Sequence, residues 1–161
     1  IITKNGYGLR FNIEEVPVVG AKAAGVKAIN LKDGDQVAAA FKSTTSSMYI
    51  LTQRGSLKRM LQDDIPVTSR AKRGLQVLRE LKNKPHRVFK AGPVFTDQGD
   101  FDLFTSQEEV AEQDQILQLT STTGQVTEVD LTQLSISERT SNGSFVNDTI
   151  SDQEVFSATI K

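Results

Sequence analysis

Apolar residues lie along the chain in short runs of about five to seven positions, rich in Val, Ile, Leu, Phe and Thr. Turn residues separate these runs, and no helical period of about 3.6 residues is sustained. Such a pattern is typical of short strands and predicts an all-β chain. The predicted strands are residues 1–4, 8–13, 26–31, 36–41, 48–52, 57–61, 75–81, 86–91, 115–120, 125–131, 144–150 and 154–160.

Glycine-containing turns divide several of these strands. The candidate turns are Lys4-Asn5-Gly6-Tyr7, Lys32-Asp33-Gly34-Asp35, Gln53-Arg54-Gly55-Ser56 and Thr122-Thr123-Gly124-Gln125. Glycine supplies the positive φ that tight hairpins require. Each turn therefore fixes the register of the two strands that it joins.

The chain repeats itself. Thr3-Lys4-Asn5-Gly6 corresponds to Thr52-Gln53-Arg54-Gly55, Val16-Pro17 to Ile65-Pro66, and Gly25-Val26 to Gly74-Leu75, all at an offset of 49 residues. A fainter third copy relates Gly55 to Gly124 and Gly74 to Gly143 at an offset of 69. The longer second offset indicates an insertion of about 20 residues between the second and third copies.

A repeat of about 50 residues with four short strands predicts one blade of a propeller-like β-pinwheel. We expect one β-pinwheel fragment with blades at residues 1–47, 48–95 and 114–161 and an acidic connector at residues 96–113. Propellers usually close with more than three blades. The three predicted blades therefore form part of a larger ring or an open arc.

Charge is strongly segregated along the chain, although the net charge is only -1. Residues 1–90 contain 17 Lys or Arg and 7 Asp or Glu, which gives +10. Residues 91–161 contain 2 Lys or Arg and 13 Asp or Glu, which gives -11. A positive field confined to one part of a molecule indicates a polyanionic partner, and nucleic acid is the first to consider.

Basic side chains at recurring repeat positions are the candidate contacts. The candidate DNA-binding residues are Lys4, Arg10, Lys22 and Lys27 in the first repeat, and Arg54, Lys58, Arg59, Arg70, Lys72, Arg73, Lys84 and Arg87 in the second. Such side chains keep their charge and can reach outward to phosphates. The alternative is an ordinary solvated face. We expect these side chains to contact the phosphate backbone of DNA with little sequence specificity, because no base-reading element is evident.

Other chemistry has little support in the sequence. The chain has no Cys and one histidine, His86, so neither a metal site nor a cofactor is expected. The acidic residues lie in predicted turns and loops, where exposure to solvent is enough to explain a charged side chain. They include Glu14, Asp33, Asp35 and Asp63. No apolar run approaches the roughly 20 residues that span a bilayer, so no membrane partner is expected.

The first repeat carries a distinctive series of motifs. They are Gly6-Tyr7-Gly8-Leu9-Arg10-Phe11, Glu15-Val16-Pro17, Gly25-Val26-Lys27-Ala28-Ile29 and Asp33-Gly34-Asp35-Gln36-Val37, followed in the second repeat by Thr52-Gln53-Arg54-Gly55 and Pro66-Val67-Thr68-Ser69-Arg70-Ala71-Lys72-Arg73-Gly74. This series resembles the C-terminal β-pinwheel of the A subunits of bacterial gyrase and topoisomerase IV. The resemblance covers more than half of the chain and is weaker in the third repeat.

The resemblance implies a non-catalytic module that carries DNA around a positively charged outer edge. The chemistry of the parent enzyme, an ATP-dependent type II topoisomerase, takes place in another domain. There the cleavage tyrosine follows an arginine, whereas Tyr7 follows Gly6 and Tyr49 follows Met48. The implied partners are double-stranded DNA, the ATPase B subunit, and the rest of the A subunit, in a bacterial cytoplasm at the nucleoid.

Two further expectations concern function. Gyrase carries a glutamine-, arginine- and glycine-rich box, and residues 20–25 and 69–74 are degenerate versions of it, which favours topoisomerase IV, with its decatenation and relaxation, over gyrase. The alternative function is a protein-interaction propeller. In that case the acidic connector binds a basic partner or masks the basic face.

Overall fold

Short β-strands form almost all of the regular structure. The computed structural model describes residues 1–96, 115–146 and 154–161, and in these ranges it contains thirteen strands and three single-turn 3-10 helices. The strands are β1 (Ile2–Thr3), β2 (Tyr7–Gly8), β3 (Arg10–Phe11), β4 (Val37–Ala39), β5 (Ser47–Thr52), β6 (Ser56–Leu61), β7 (Val67–Thr68), β8 (Leu75–Gln76), β9 (Val88–Val94), β10 (Ile116–Ser121), β11 (Val126–Asp130), β12 (Ser144–Phe145) and β13 (Val155–Ile160). The 3-10 helices are Ile13–Glu15, Gln62–Asp64 and Leu131–Gln133. Across these ranges, no helix has the length and apolar character needed to cross a bilayer.

The strands form three antiparallel sheets, one for each repeat. Their strand orders are β4-β1-β2-β8, β12-β6-β5-β9 and β11-β10-β13. A short parallel pair, β3 with β7, joins the first repeat to the second. The predicted all-β class and propeller-like architecture are confirmed. The connector at residues 96–113 lies almost wholly outside the described residues.

The outermost strand of the first two sheets comes from the following repeat. Gly8 of β2 pairs with Leu75 of β8, and Leu57 of β6 pairs with Ser144 of β12. The two pairs are related by the 49- and 69-residue repeat offsets. The sequence did not predict this exchange, because repetition gives the number of strands but not their partners. Each of the first two sheets therefore contains strands from two repeats. The predicted boundaries between the repeats remain predictions.

The predicted strand at residues 26–31 is wrong, because this segment forms no strand. Its counterparts in the later repeats, β8 and β12, each pair with the sheet of the preceding repeat. The described residues contain no preceding sheet to receive residues 26–31. Val26 is accordingly 41% exposed.

The core consists of two apolar clusters on opposite faces of β5. Met48 and Ile50 belong to the cluster shared with the first sheet, and Tyr49 and Leu51 belong to the cluster shared with the third. Side chains alternate between the two faces of a strand. Since both faces of β5 are covered, all six of its residues are buried. Packing between neighbouring sheets therefore holds the repeats together.

The strand exchange requires glycine at the start of each exchanged strand. Gly74 and Gly143 have φ angles of 87° and 74°, which L-residues rarely adopt. A Cβ atom on Gly74 would also collide with the carbonyl oxygen of Gly8, and one on Gly143 with that of Leu57. Backbone passes so close to backbone at these two positions that no side chain fits.

Candidate nucleic-acid interface

The loop at residues 69–74 lies at the outer edge of the first sheet. It leads into β8, the outermost strand, and follows β7, which pairs with β3 of the first repeat. Two hydrogen bonds fix its backbone: Ala71 N donates to Ala28 O at 2.9 Å, and Asn30 N donates to Lys72 O at 2.9 Å. The first repeat thus holds a loop that belongs to the second. We call the contact between these two repeats junction 1–2.

Arg70 turns inward from this loop. Its backbone N–H donates to Glu15 Oε2 at 2.7 Å, its Nε to Glu15 O at 3.2 Å, and its Nη1 to the carbonyl oxygen of Lys27. These bonds occupy the guanidinium with protein acceptors. Arg70, predicted as a DNA contact, therefore positions the loop.

Lys72 and Arg73 face solvent on the same loop. The Arg73 guanidinium lies 4.5 Å from the ring centroid of Tyr7, and its Nη2 donates to Tyr7 Oη at 3.1 Å. A cation over an aromatic face is held in place but keeps its charge. Two positive charges therefore lie at the outer edge, one of them oriented by stacking.

Two more predicted lysines are exposed on nearby segments. Lys27 is exposed and donates from Nζ to Asn30 Oδ1 at 2.8 Å. Lys22 is exposed on the loop at residues 20–25, the counterpart of the loop at residues 69–74 one repeat earlier. The exposed cations Lys27, Lys72 and Arg73 form the candidate interface at junction 1–2.

Arg10 and Arg59 join successive repeats. The Arg10 Nη1 lies 3.3 Å from Gln62 O and 3.4 Å from Ile65 O, and it pairs with Asp63 at 2.7 Å. The Arg59 Nη1 donates to Thr132 O at 2.7 Å and lies 3.4 Å from Leu134 O. Both guanidinium groups therefore bind the next repeat's 3-10 turn.

Lys58 does not fit the expectation of an outward-reaching cation. It is only 2% exposed, and its Nζ donates to Val77 O at 2.5 Å, to Arg139 O at 2.6 Å and to Ser141 O at 2.8 Å. Burial, with a smaller contribution from the charge of Arg139, lowers the pKa of Lys58 to about 8. Lys58 ties the third repeat to the second. It is a structural residue and not a phosphate contact, because phosphates cannot reach a buried ammonium.

The remaining predicted cations lie near the hairpin turn of the second sheet. Arg54 donates from Nη1 to Lys84 O at 2.7 Å, and its guanidinium lies 5.5 Å from the ring centroid of Phe145. Arg87 forms an ion pair with Glu80 at 3.1 Å. These contacts hold both arginines against the protein. Lys84 is exposed.

Lys4 belongs to the equivalent turn of the first sheet. Its side chain is exposed, and its carbonyl oxygen accepts a hydrogen bond from Val88 N at 2.8 Å. Lys4 and Lys84 are thus exposed cations on turn segments, outside the loop at residues 69–74.

His86 is buried at 6% exposure beside the same turn. Its Nδ1 lies 3.1 Å from Thr52 Oγ1, and its Nε2 lies 3.2 Å from Arg54 Nη1. Arginine can only donate, so Nε2 accepts and Nδ1 carries the hydrogen in this arrangement. His86 is a hydrogen-bonded core residue. Nowhere in the described ranges do three or more metal-binding side chains gather.

Acidic side chains mostly fulfil the expectation of solvent exposure, but Asp35 does not. Asp35 is 9% exposed, and its Oδ1 accepts hydrogen bonds from Asn5 N at 3.0 Å and Gln36 N at 2.8 Å. The prediction of a solvated Asp35 is wrong, because this carboxylate supports the hairpin turn of the first sheet.

The two tyrosines lie in different surroundings. Tyr49 is 3% exposed, and burial raises the pKa of its hydroxyl to about 12. Tyr7 lies under Arg73 and accepts its hydrogen bond.

Arg139 is an anchoring arginine that sequence reasoning missed. Its Nη1 donates to the carbonyl oxygen of Gln76, as Arg70 does to that of Lys27. Arg70 and Arg139 are related by the 69-residue offset, and Lys27 and Gln76 by the 49-residue offset. The repeat pattern in the sequence could therefore have identified Arg139 as the counterpart of Arg70.

Comparisons with known proteins identify the family of this chain. The family described as "DNA gyrase C-terminal domain, beta-propeller" matches residues 1–44 and 47–94. The A subunit of DNA topoisomerase 4 from Streptococcus pyogenes serotype M3 (strain ATCC BAA-595 / MGAS315) is 61% identical over 160 residues, which are 98% of this chain and 20% of that protein. Its counterpart from Streptococcus pneumoniae serotype 4 is 61% identical over 158 residues, 98% of this chain and 19% of that protein. The chain thus spans about a fifth of the length of these relatives.

Solved structures give a matching result. The crystal structure of the C-terminal domain of DNA topoisomerase IV superposes with a TM-score of 0.77 and 34% identity, covering 99% of this chain and 45% of that one. A structure of the DNA gyrase A C-terminal domain superposes with a TM-score of 0.69 at 18% identity, covering 99% and 48%, and supports the fold alone. The matched motifs, the three sheets and these similarities establish that the chain belongs to the gyrase A C-terminal domain family of β-propellers.

Proposed function

We propose that this chain is a non-catalytic DNA-binding module of a bacterial type IIA topoisomerase, and that it guides or wraps duplex DNA along its outer edge. The parent enzyme would be topoisomerase IV, which decatenates and relaxes DNA in the cytoplasm at the nucleoid. The module would act together with the ATPase B subunit, and with the rest of the A subunit. Double-stranded DNA is the proposed ligand.

The observation that carries this proposal is the loop at residues 69–74. Its inward arginine, Arg70, is held by Glu15, while Lys72 and Arg73 stay exposed. Exposed cations on a fixed backbone can neutralise phosphates with little ordering cost. Such contacts position the duplex without reading bases, so the binding should be insensitive to sequence.

The proposed lack of catalysis agrees with the tyrosines. A hydroxyl with a pKa of about 12, such as that of Tyr49, is a poor nucleophile near neutral pH. Tyr7 serves as the ring on which the Arg73 guanidinium is stacked. Chemistry would therefore belong to other domains of the parent enzyme.

The test is the affinity of the purified chain for a labelled duplex across a salt series. The logarithm of affinity should fall with the logarithm of salt concentration by about 0.9 per neutralised phosphate. Lys72→Gln should make this slope shallower by about 0.9. Lys161→Gln, which removes the same charge in the third repeat, should leave the slope unchanged.

Two results would overturn the proposal. One is a wild-type chain that is folded but does not bind duplex DNA even at low salt. The other is an affinity that does not depend on salt. Equal affinity for two unrelated duplex sequences is also expected, and strong discrimination between them would contradict backbone recognition.

The rival hypothesis of a protein-interaction propeller depends on the acidic connector, most of which lies outside the described residues. Deletion of residues 97–112 tests it. A connector that masks the basic face predicts tighter DNA binding after deletion, whereas an inert connector predicts no change.

A further inference from the structure

Junction 2–3, the contact between the second and third repeats, is built like junction 1–2. Arg59 and Ile136 form a parallel bridge there, as Arg10 and Val67 do between the first two repeats. The loop at residues 138–143 leads into β12, as the loop at residues 69–74 leads into β8. The backbone therefore presents the same loop twice at the outer edge.

The inward residues of the two loops match. Arg139 donates to the Gln76 carbonyl as Arg70 donates to the Lys27 carbonyl. Each loop ends in a glycine with positive φ, Gly74 or Gly143. The features that shape and anchor the loop are thus present at both junctions.

The outward residues do not match. By the 69-residue offset, Lys72 corresponds to Ser141, Arg73 to Asn142 and Ser69 to Glu138. Both exposed cations are absent from the later loop, and an exposed carboxylate has been added.

The replacement residues at junction 2–3 have structural contacts instead. Ser141 O accepts a hydrogen bond from the buried Lys58 ammonium at 2.8 Å. The Asn142 side chain bonds to both backbone groups of Arg79, accepting from N at 2.8 Å and donating to O at 3.1 Å. Arg79 itself is exposed beside Glu138 in a cleft of about 430 Å³. Glu138 and Arg79 therefore place opposite charges beside the same cleft at this part of the edge.

We infer that the DNA track along the outer edge ends at junction 2–3, where a loop of the same build has lost its phosphate-binding side chains. This inference rests on the proposed function. In it, the duplex follows junction 1–2 and leaves the edge before the third repeat. Glu138 marks the end of the track, because an exposed carboxylate repels nearby phosphates, and this repulsion decays over a screening length of about 8 Å at physiological salt.

The experiment exchanges outward residues between the two loops in the full chain. The double variant Lys72→Ser with Arg73→Asn gives the first loop the side chains of the second. Its salt slope should be shallower by about 1.8, since two phosphate contacts are lost. Thermal unfolding checks that the variant is folded.

The gain-of-function arm is Glu138→Lys. It places a cation at the end of the track and should steepen the slope by about 0.9. Its matched control is Glu154→Lys, the same substitution at an exposed position that precedes β13 and belongs to neither loop. The control should retain the wild-type slope. If Glu138→Lys does not fold, Ser141→Lys, the counterpart of Lys72, provides the same measurement.

The outcomes distinguish a failure of the proposed DNA binding from a failure of the proposed track end. A wild-type chain without salt-dependent binding would overturn the proposed function itself. A wild-type chain that binds, together with an unchanged slope for Glu138→Lys or equal steepening by Glu154→Lys, would overturn the track end alone. Unchanged binding by the Lys72 and Arg73 double variant would show that the track does not follow junction 1–2.

Discussion

Arg10 and Arg59 lie one repeat apart and make the same contact. Arg10 Nη1 lies 3.4 Å from the carbonyl oxygen of Ile65, and Arg59 Nη1 lies 3.4 Å from that of Leu134. Ile65 and Leu134 are themselves counterparts in successive repeats. One arginine per junction thus anchors the 3-10 turn of the next repeat.

Arg59→Met should therefore destabilise the chain. It retains an apolar stem but leaves the carbonyl oxygens of Thr132 and Leu134 without their charged donor, at a cost of about 1–3 kcal/mol. Urea unfolding measures this free energy. The salt slope of DNA binding should not change, because this guanidinium serves the protein; a shallower slope would identify Arg59 as a phosphate contact.

Lys58 should make stability depend on pH. Its folded-state pKa of about 8 is below its ordinary value of 10.5, so between these values the unfolded chain holds a proton that the folded chain has lost. The free energy of unfolding should therefore rise with pH across this window, by at most about 3 kcal/mol. The pH dependence of the wild-type chain is compared with that of the Lys58→Met variant, because all other titrating groups are the same in the two proteins. An identical pH dependence in both proteins would contradict a buried ammonium.

Gly143→Ala should be far more destabilising than Gly124→Ala. Both glycines have positive φ, 74° and 84°, so each substitution carries a backbone penalty of about 1–2 kcal/mol. Only at Gly143 does the new Cβ collide with a neighbouring backbone, whereas the surroundings of Gly124 are open. Thermal unfolding of the two variants makes the comparison, and equal losses would argue against the close approach of β12 to β6.

Tyr7→Leu should weaken DNA binding modestly. Removal of the ring frees the Arg73 guanidinium, so that DNA binding must then order this side chain at a cost in conformational entropy. We expect a roughly two- to fivefold loss of affinity, in line with a cation–π energy of about 0.5–1 kcal/mol. Titration of a duplex at fixed salt tests this. In an Arg73→Gln background the same substitution should have no effect, and a persisting loss would contradict coupling through Arg73.

The sequence predicted most of the strands because strand patterns are local, although several strands are shorter than predicted; β8, for example, ends at Gln76 and not at residue 81. Turn glycines such as Gly55 and the continuous apolar run Met48–Leu51 can be recognised without knowing the fold. The exchange of β8 and β12 could not be predicted, since a two-residue strand carries no signal for its distant partner.

The separate roles of the basic residues were also beyond the sequence. Lys58 and Lys72 have the same side chain and lie in the same basic repeat, yet one is 2% exposed and the other faces solvent. Their difference arises from tertiary packing: the loop of the third repeat covers Lys58. Charge density in the sequence identifies the basic repeats, but it does not separate anchoring cations from exposed ones.

The most direct test of the central claim is residue-resolved acylation of lysines in the wild-type chain, with and without duplex DNA, read by mass spectrometry. We predict that DNA protects Lys27 and Lys72 and leaves Lys161 as reactive as before, while the buried Lys58 is unreactive in both samples. Protection of Lys161 with no change at Lys72 would contradict the proposed DNA track.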